Sequence, residues 1–559
     1  MPSRHTLARH ALILALFVFA VVCPRPASAT ISWGLCPESW VRTPSGALGQ
    51  RLQCGTLLAP FDHLLPDGRN VHVGVVRVQA AHADEREGAI FFNKGGPGGH
   101  PGRLLRSMAE GWTGMDINDP DDGDKRRLAE RFDLIAVIPR GLDGSEPIRC
   151  VSGLPPRHAF LPTDQSDANW AQAVDDAQAV ADACLSPAFP SVRYVNTEQH
   201  VHDMDAVRRA LGDERLNFYG ISYGGRVGAW YAATYPAHTG RLLLDSSMDF
   251  THDYRTALRL SQVARQREFD DDVLAPLLRE PSRFGLGSSA DDVAVAVEQI
   301  PARARAAWTG WLDSTPRLAA ALHVAGWLER SAPADLTAMS RLIRRARFST
   351  EPILDSRIRW EATQLSSILY TPPQAGASYG LGPEGDSVRI ITACNDAPWG
   401  RDDATIRESL RQYASRFIHF NGSEILEELT CTHWGGHSAR QPDLSILANA
   451  PPFLLIQSEK DTSTPLAGGS FILDAFPNAR MLLVRESKQH GIFNFTTSGC
   501  IERTAATYLL SGALPESRSR VFACGDANEN PAEALPGTPR PPTAPVAVDE
   551  PPLQEHDEF

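Results

Sequence analysis

Phe218-Tyr219-Gly220-Ile221-Ser222-Tyr223-Gly224-Gly225 is the stretch on which the reading of this chain turns. An apolar run, 216–219 (LNFY), precedes it, and residues 226–235 follow with helical spacing. A G-x-S-x-G between a strand and a helix is a turn so tight that only small flanking residues fit, and it pushes the serine hydroxyl out of the chain. The helix start supplies unpaired backbone amides and a partial positive charge beside that hydroxyl. Ser222 is therefore a candidate nucleophile.

Working outward, the same alternation recurs. Residues 89–93 (AIFFN), 132–138 (FDLIAVI), 242–245 (LLLD), 453–457 (FLLIQ) and 481–484 (MLLV) are short continuous apolar runs, as expected of parallel strands covered on both faces. Residues 201–211 between them have helical spacing. The pattern predicts an α/β fold with a mostly parallel sheet and helices on both faces. From 251 to 442 it changes to helical stretches near 256–277, 291–309, 317–328 and 336–348, which reads as a helical cap inserted into the sheet domain. The expected organisation is a core over 30–250 and 443–524, interrupted by the cap at 251–442.

A nucleophilic serine needs a base, and the base needs an acid to orient it. Run 453–457 leads into Ser458-Glu459-Lys460-Asp461, and run 481–484 leads into Arg485-Glu486-Ser487-Lys488-Gln489-His490-Gly491. Asp461 and His490 thus fall in loops after consecutive strands, from which they can converge on Ser222. Glu459 and Glu486 are rival acids. After run 89–93 comes Lys94-Gly95-Gly96-Pro97-Gly98-Gly99. No G-K-[ST] follows, so phosphate binding is disfavoured, and an oxyanion hole built from the Gly96 and Tyr223 amides fits better.

The composition agrees with a secreted enzyme. The chain has 559 residues and a net charge of −13 without a basic block, which argues against nucleic-acid binding. Arg4 and Arg9, an apolar run over 11–22 and Ala27-Ser28-Ala29 read as a signal peptide ending at 29. That run is too short to span a bilayer, so no membrane association is expected after its removal. Eight cysteines remain beyond it: Cys36, Cys54, Cys150, Cys184, Cys394, Cys431, Cys500 and Cys524. An even count in an exported chain implies disulfides, with sequential pairing the simplest arrangement. Residues 525–559, rich in Pro and acid, are expected to be a disordered tail.

These motifs, in this order, resemble the exported tripeptidyl aminopeptidase-like α/β hydrolases, relatives of prolyl aminopeptidase. The resemblance extends over most of 32–524. It includes Trp33 to Cys36, Cys54 to Asp62, Asn93 to Gly99, Arg140-Gly141, Tyr194 to Thr197, the Ser222 elbow, Leu244-Asp245, Cys394-Asn395-Asp396, Asp461 with Thr464-Pro465, and His490-Gly491. It implies the α/β-hydrolase fold, a triad of Ser222, Asp461 and His490, oxyanion donors at Gly96 and Tyr223, and no cofactor. It also implies short peptide substrates with a free N-terminus. Departures fall at Lys94, where the family has Pro, at His100, where it has Ser, at Ile138, where it has Asp, and at Ser246, where it has Gly.

Recognition of a substrate ammonium needs a carboxylate facing the cleft, and the cap offers Glu268, Asp270, Asp271, Asp272, Glu329, Asp335 and Glu361. His200-Val-His202-Asp203 and the His433/His437 pair lack a full metal-ligand set. The alternative reading is a secreted carboxylic-ester hydrolase with the same triad. The sequence does not separate periplasm from medium, and it carries no signal for oligomeric state.

Overall fold

The computed structural model describes residues 30–42, 46–151, 154, 164–308, 311–370, 381–400, 402–416, 422–496, 498–515 and 519–524. The signal-peptide and tail expectations lie outside the described residues. Ten strands form one sheet in the order β1-β2-β3-β5-β4-β6-β7-β8-β9-β10. They are β1 (Ser32–Gly34), β2 (Leu52–Pro60), β3 (Asn70–Val78), β4 (Ala89–Asn93), β5 (Asp133–Val137), β6 (Leu216–Ile221), β7 (Thr239–Asp245), β8 (Phe453–Ser458), β9 (Ala479–Val484) and β10 (Val521–Cys524). From β5 through β10 neighbouring strands are parallel, whereas β1, β2, β3 and β5 pair antiparallel.

The parallel strands are those with continuous apolar sequence: every residue of β4, β5, β6 and β8 is buried. β2 and β3 carry polar residues among the apolar ones and expose part of their length, which is why no apolar run marks them. Helices Thr197–Leu211 and Tyr223–Thr234 flank the strand before the elbow and the turn after it. Asn196 starts the first of these by accepting the Gln199 N–H, and Gly212 (φ 76°) ends it in the left-handed conformation.

Between β7 and β8 the described elements are all helical. The expected helix over 256–277 is instead Tyr254–Glu268, a wide π-type turn over Phe269–Leu274, and Ala275–Arg279. Two apolar clusters divide this region. Phe269, Trp308, Leu318, Ile343 and Leu365 belong to a core of their own, whereas Val388, Ile391 and Trp399 join the core of the sheet domain. A third, small cluster joins Ala173 and Ala177 to Ile406, Leu410 and Leu429. Disulfides link Cys36 to Cys54, Cys150 to Cys184, Cys394 to Cys431 and Cys500 to Cys524. Among the described residues, no helix is long and apolar enough to cross a membrane.

Candidate active site

The elbow forms because its neighbours leave no alternative. A Cβ at Gly220 would lie 2.5 Å from the Gly224 carbonyl oxygen, and one at Gly224 would lie 2.7 Å from the Asn93 carbonyl oxygen. Ser222 itself sits at φ 61°, ψ −122°, a conformation costing a side-chain-bearing residue about 1–3 kcal/mol. Tertiary bonds hold it there. Its N–H donates to the Asp245 carbonyl (2.9 Å), and its own carbonyl accepts from Gly225 (2.9 Å) and Met248 (3.0 Å).

The glycine-rich loop after β4 is folded against this elbow. Asn93 Oδ1 accepts the Gly95 N–H at 2.8 Å, and Asn93 Nδ2 lies 3.2 Å from His200 Nε2. At Gly95 (φ 83°) a Cβ would stand 2.3 Å from the Ile221 oxygen and 3.1 Å from the Tyr223 nitrogen, so glycine alone permits the approach. The Gly95 carbonyl accepts from Gly99 N–H (3.0 Å). Because C=O and N–H of one trans peptide point in opposite directions, that bond turns the Gly96 N–H away from the Gly99 side. The Gly96 carbonyl in turn accepts from Arg389 Nη1 at 3.3 Å. His100 takes a neutral, fixed tautomer, with Nδ1 accepting from Gly102 N–H and Nε2–H donating to the Asp143 carbonyl; burial lowers its pKa.

Asp461 and His490 meet. Asp461 is buried (2% exposed). Its Oδ1 accepts from the Ser463 and Thr464 amides (2.8 and 3.1 Å), and its Oδ2 lies 2.9 Å from Thr464 Oγ1. Oδ2 also accepts from His490 Nδ1 at 2.8 Å. Nδ1 thus carries the proton and Nε2 is left as the basic nitrogen. Burial pulls the His490 pKa down, but the hydrogen bond and charge of Asp461 outweigh it and the net shift is upward. The imidazole stays accessible, with 32% of its side chain exposed. The next residue, Gly491 (φ 74°), packs on the last residue of β6: a Cβ there would stand 3.3 Å from Ile221 Cγ2. The rival acids are engaged elsewhere. Glu459 accepts the Glu486 N–H, and Glu486 pairs with Lys460.

The cap carboxylates named from sequence have other partners. Glu268 and Asp272 both pair with Lys488 at 2.7 Å, Asp270 accepts from Gln266, and Asp335 caps the helix beginning at Leu336. Glu361 is fully buried within the cap between Arg317 and Arg357. Asp271 and Glu329 are exposed. His202 bonds to the Tyr235 hydroxyl, and His437 lines a polar cavity of about 330 Å³ with Arg193, Glu198 and Arg440.

Sequence reasoning missed the buried charges over the glycine loop. Helix Pro383–Asp396 lies against that loop: a Cβ at Gly98 would be 2.2 Å from the Gly385 oxygen. Its Arg389 reaches Gly96 on one side and Glu427 Oε2 (3.1 Å) on the other. Glu427 is buried, and its Oε1 has no hydrogen-bond partner among the described residues. Asp396, at the end of the same helix, accepts from the Tyr223 hydroxyl (2.7 Å) and the Thr197 N–H (2.8 Å), and burial raises its pKa. The Cys394–Cys431 spacing was the one available sign that these two helices are neighbours.

Residues 88–284 match the family described as alpha/beta hydrolase fold, and residues 418–521 match the family described as TAP-like protein. The tripeptidyl aminopeptidase of Streptomyces lividans is 24% identical over 525 residues, covering 88% of this chain and 87% of that protein. Serine protease Hip1 of Mycobacterium tuberculosis (strain ATCC 25618 / H37Rv) is 25% identical over 513 residues, covering 88% and 90%. Carboxylesterase B of Mycobacterium tuberculosis (strain CDC 1551 / Oshkosh) is 24% identical over 512 residues, covering 88% and 89%. The serine elbow, the Asp461–His490 pair and the glycine loop share one rim of a hydrolase sheet, and both family matches run through that rim: the chain is a TAP-like α/β hydrolase, an enzyme of the serine hydrolase type.

Proposed function

We propose that this chain is an exported serine aminopeptidase that cleaves short peptides near a free N-terminus, built as a core over 30–250 and 443–524 with a cap over 251–442. His490 Nε2 takes the proton of Ser222 Oγ as that oxygen attacks the peptide carbonyl. The Gly96 and Tyr223 amides receive the resulting oxyanion, a contribution of about 3 kcal/mol per donor. Protonated His490 gives its proton to the departing amine, and water then releases the acyl group by the same steps. Asp461 keeps His490 in the tautomer this sequence requires.

The observation that carries the exopeptidase reading is the free oxygen of Glu427. A buried carboxylate bonded through one oxygen to Arg389, which also holds Gly96, has its other oxygen without a hydrogen-bond partner among the described residues, and an ammonium is the group such an oxygen would pair with. A substrate with a charged N-terminus would supply that partner, and a blocked one would not. The carboxylesterase relative supports the second reading, an ester hydrolase with the same triad. Four disulfides support an exported protein.

The test compares an Ala-Ala-Pro amide with its N-blocked twin and an acyl ester, using wild type and Ser222→Ala. Cleavage of the free peptide alone, abolished in the variant, is the expected result. Ester turnover without peptide cleavage would move the assignment to esterase. A pH profile adds a second check. His490 must be neutral to accept a proton, and its pKa lies above the ordinary 6.5. The acid limb of kcat/KM is therefore expected above pH 6.5, with activity lost as pH falls through it.

A further inference from the structure

Two consecutive residues at the end of β7, Asp245 and Ser246, are hydrogen-bonded to all three loops that carry Ser222, Asp461 and His490. The Asp245 carbonyl accepts the Ser222 N–H at 2.9 Å. Its carboxylate, fully buried, accepts the Ile492 N–H with both oxygens (2.9 and 2.8 Å) and the Phe493 N–H with Oδ2 (2.9 Å). The Ser246 hydroxyl accepts the Gly491 N–H at 2.9 Å and donates to Asp245 Oδ1 at 3.1 Å. The Ser246 carbonyl accepts from Thr464 Oγ1 (2.7 Å), and the same hydroxyl oxygen is 2.9 Å from Asp461 Oδ2. Ser246 N–H closes the set on the β8 carbonyl of Ile456 (2.8 Å).

Ser246 does this from a costly backbone. Its φ is 49°, in the left-handed region that favours glycine, so a residue chosen for stability alone would have no Cβ there. This chain nevertheless carries a side chain there, and its hydroxyl is the acceptor for the amide immediately after His490. Burial pushes the Asp245 carboxyl up to about 6 against the pull of the Ile492 and Phe493 amides, so at neutral pH it remains an acceptor for them.

We infer that Asp245 and Ser246 are positioning residues that set the distance between nucleophile and base, with the Ser246 hydroxyl fixing the backbone of the His490 loop. Both are fully buried. The inference rests on the triad reading given above. Its effect belongs in kcat, because a displaced base weakens proton transfer while leaving substrate contacts intact.

The experiment measures kcat, KM and thermal midpoint for wild type, Ser222→Ala, Ser246→Gly and Asp245→Asn on the free tripeptidyl amide. Ser246→Gly relieves the backbone and removes the hydroxyl. Strain relief and the lost bond to the Gly491 amide are of similar size, so it is expected to leave the thermal midpoint within a few degrees, leave KM within about twofold and lower kcat about tenfold, the effect of a modest misplacement of a reacting group. A merely structural serine would give the opposite pattern, with kcat unchanged. Asp245→Asn is expected to lower kcat further; should it fail to fold, Ser246→Gly decides alone. Wild-type kcat in a folded Ser246→Gly, with Ser222→Ala inactive, overturns the inference while sparing the triad. Full activity in Ser222→Ala overturns the triad reading, and the junction then has nothing to position.

Discussion

The helical region between β7 and β8 is two structures with different allegiances. The outer part, from Phe269 to Tyr370, buries its apolar side chains against one another, with Trp308, Leu318 and Ile343 in a core separate from that of the sheet. The inner part, helices Pro383–Asp396 and Ser423–Thr432, sends Val388, Ile391 and Cys431 into the sheet domain's core. The inner part touches the glycine loop, through Gly385 and Arg389. The difference teaches that this helical region is not one packing unit: its outer part packs on itself, and its inner part packs on the sheet core and the glycine loop.

Substitutions in the two parts are therefore expected to separate stability from specificity. Leu318→Ala, fully buried in the outer core, should cost about 2–5 kcal/mol of stability by loss of contacts and formation of a cavity. Calorimetry would register it, while kcat on the free tripeptidyl amide per folded molecule stays at the wild-type value; a matching fall in kcat would merge the two parts into one. Glu427→Gln in the inner part should do the reverse. It removes the charge proposed to face a substrate ammonium, a loss of about 2–3 kcal/mol under that proposal, and should lower kcat/KM for the free peptide about a hundredfold. The margin between the free peptide and its N-blocked twin should narrow by the same factor, and a variant that keeps the full margin would remove Glu427 from ammonium recognition. The smallest effect is expected where the start of this helical region meets the sheet domain at the surface. Lys488→Gln breaks exposed pairs with Glu268 and Asp272, worth below about 1 kcal/mol. Its thermal midpoint should barely move, and a large drop would show that the helical region depends on this contact.

What could be read from sequence follows from which signals are local. Ser222 was legible because strand, turn glycines and helix are contiguous, and Asp461 and His490 because each follows an apolar strand. The apolar strand centres were found, although β7 and β9 begin earlier than their apolar runs because Thr239 and Arg480 interrupt the pattern. β2 and β3 escaped for a related reason: their pairing is antiparallel and partly exposed, so polar residues such as Gln53, Thr56 and His72 break any run. Glu427 and Arg389 could not be found, since a glutamate on a helix looks solvated until its partner, 38 residues away, is known to cover it. Asp245 and Ser246 were seen as part of a family pattern, but their bonds to residues 464 and 491–493 exist only once four loops share a rim.

The two margins of the sheet are its shortest strands, three-residue β1 and four-residue β10, and each carries a covalent tether. Cys36 lies two residues beyond β1 and is bonded to Cys54, the β2 partner of Gly34; Cys524 ends β10 and is bonded to Cys500 in the helix Gly499–Ser511. A margin strand that lets go is therefore held at high local concentration beside its own slot and re-pairs faster than another molecule can take its place. In crowded or denaturing surroundings, such a sheet presents no free margin to a neighbour. Reduction of those two bridges would expose one at each end while leaving the central parallel strands, and the rim they support, in place.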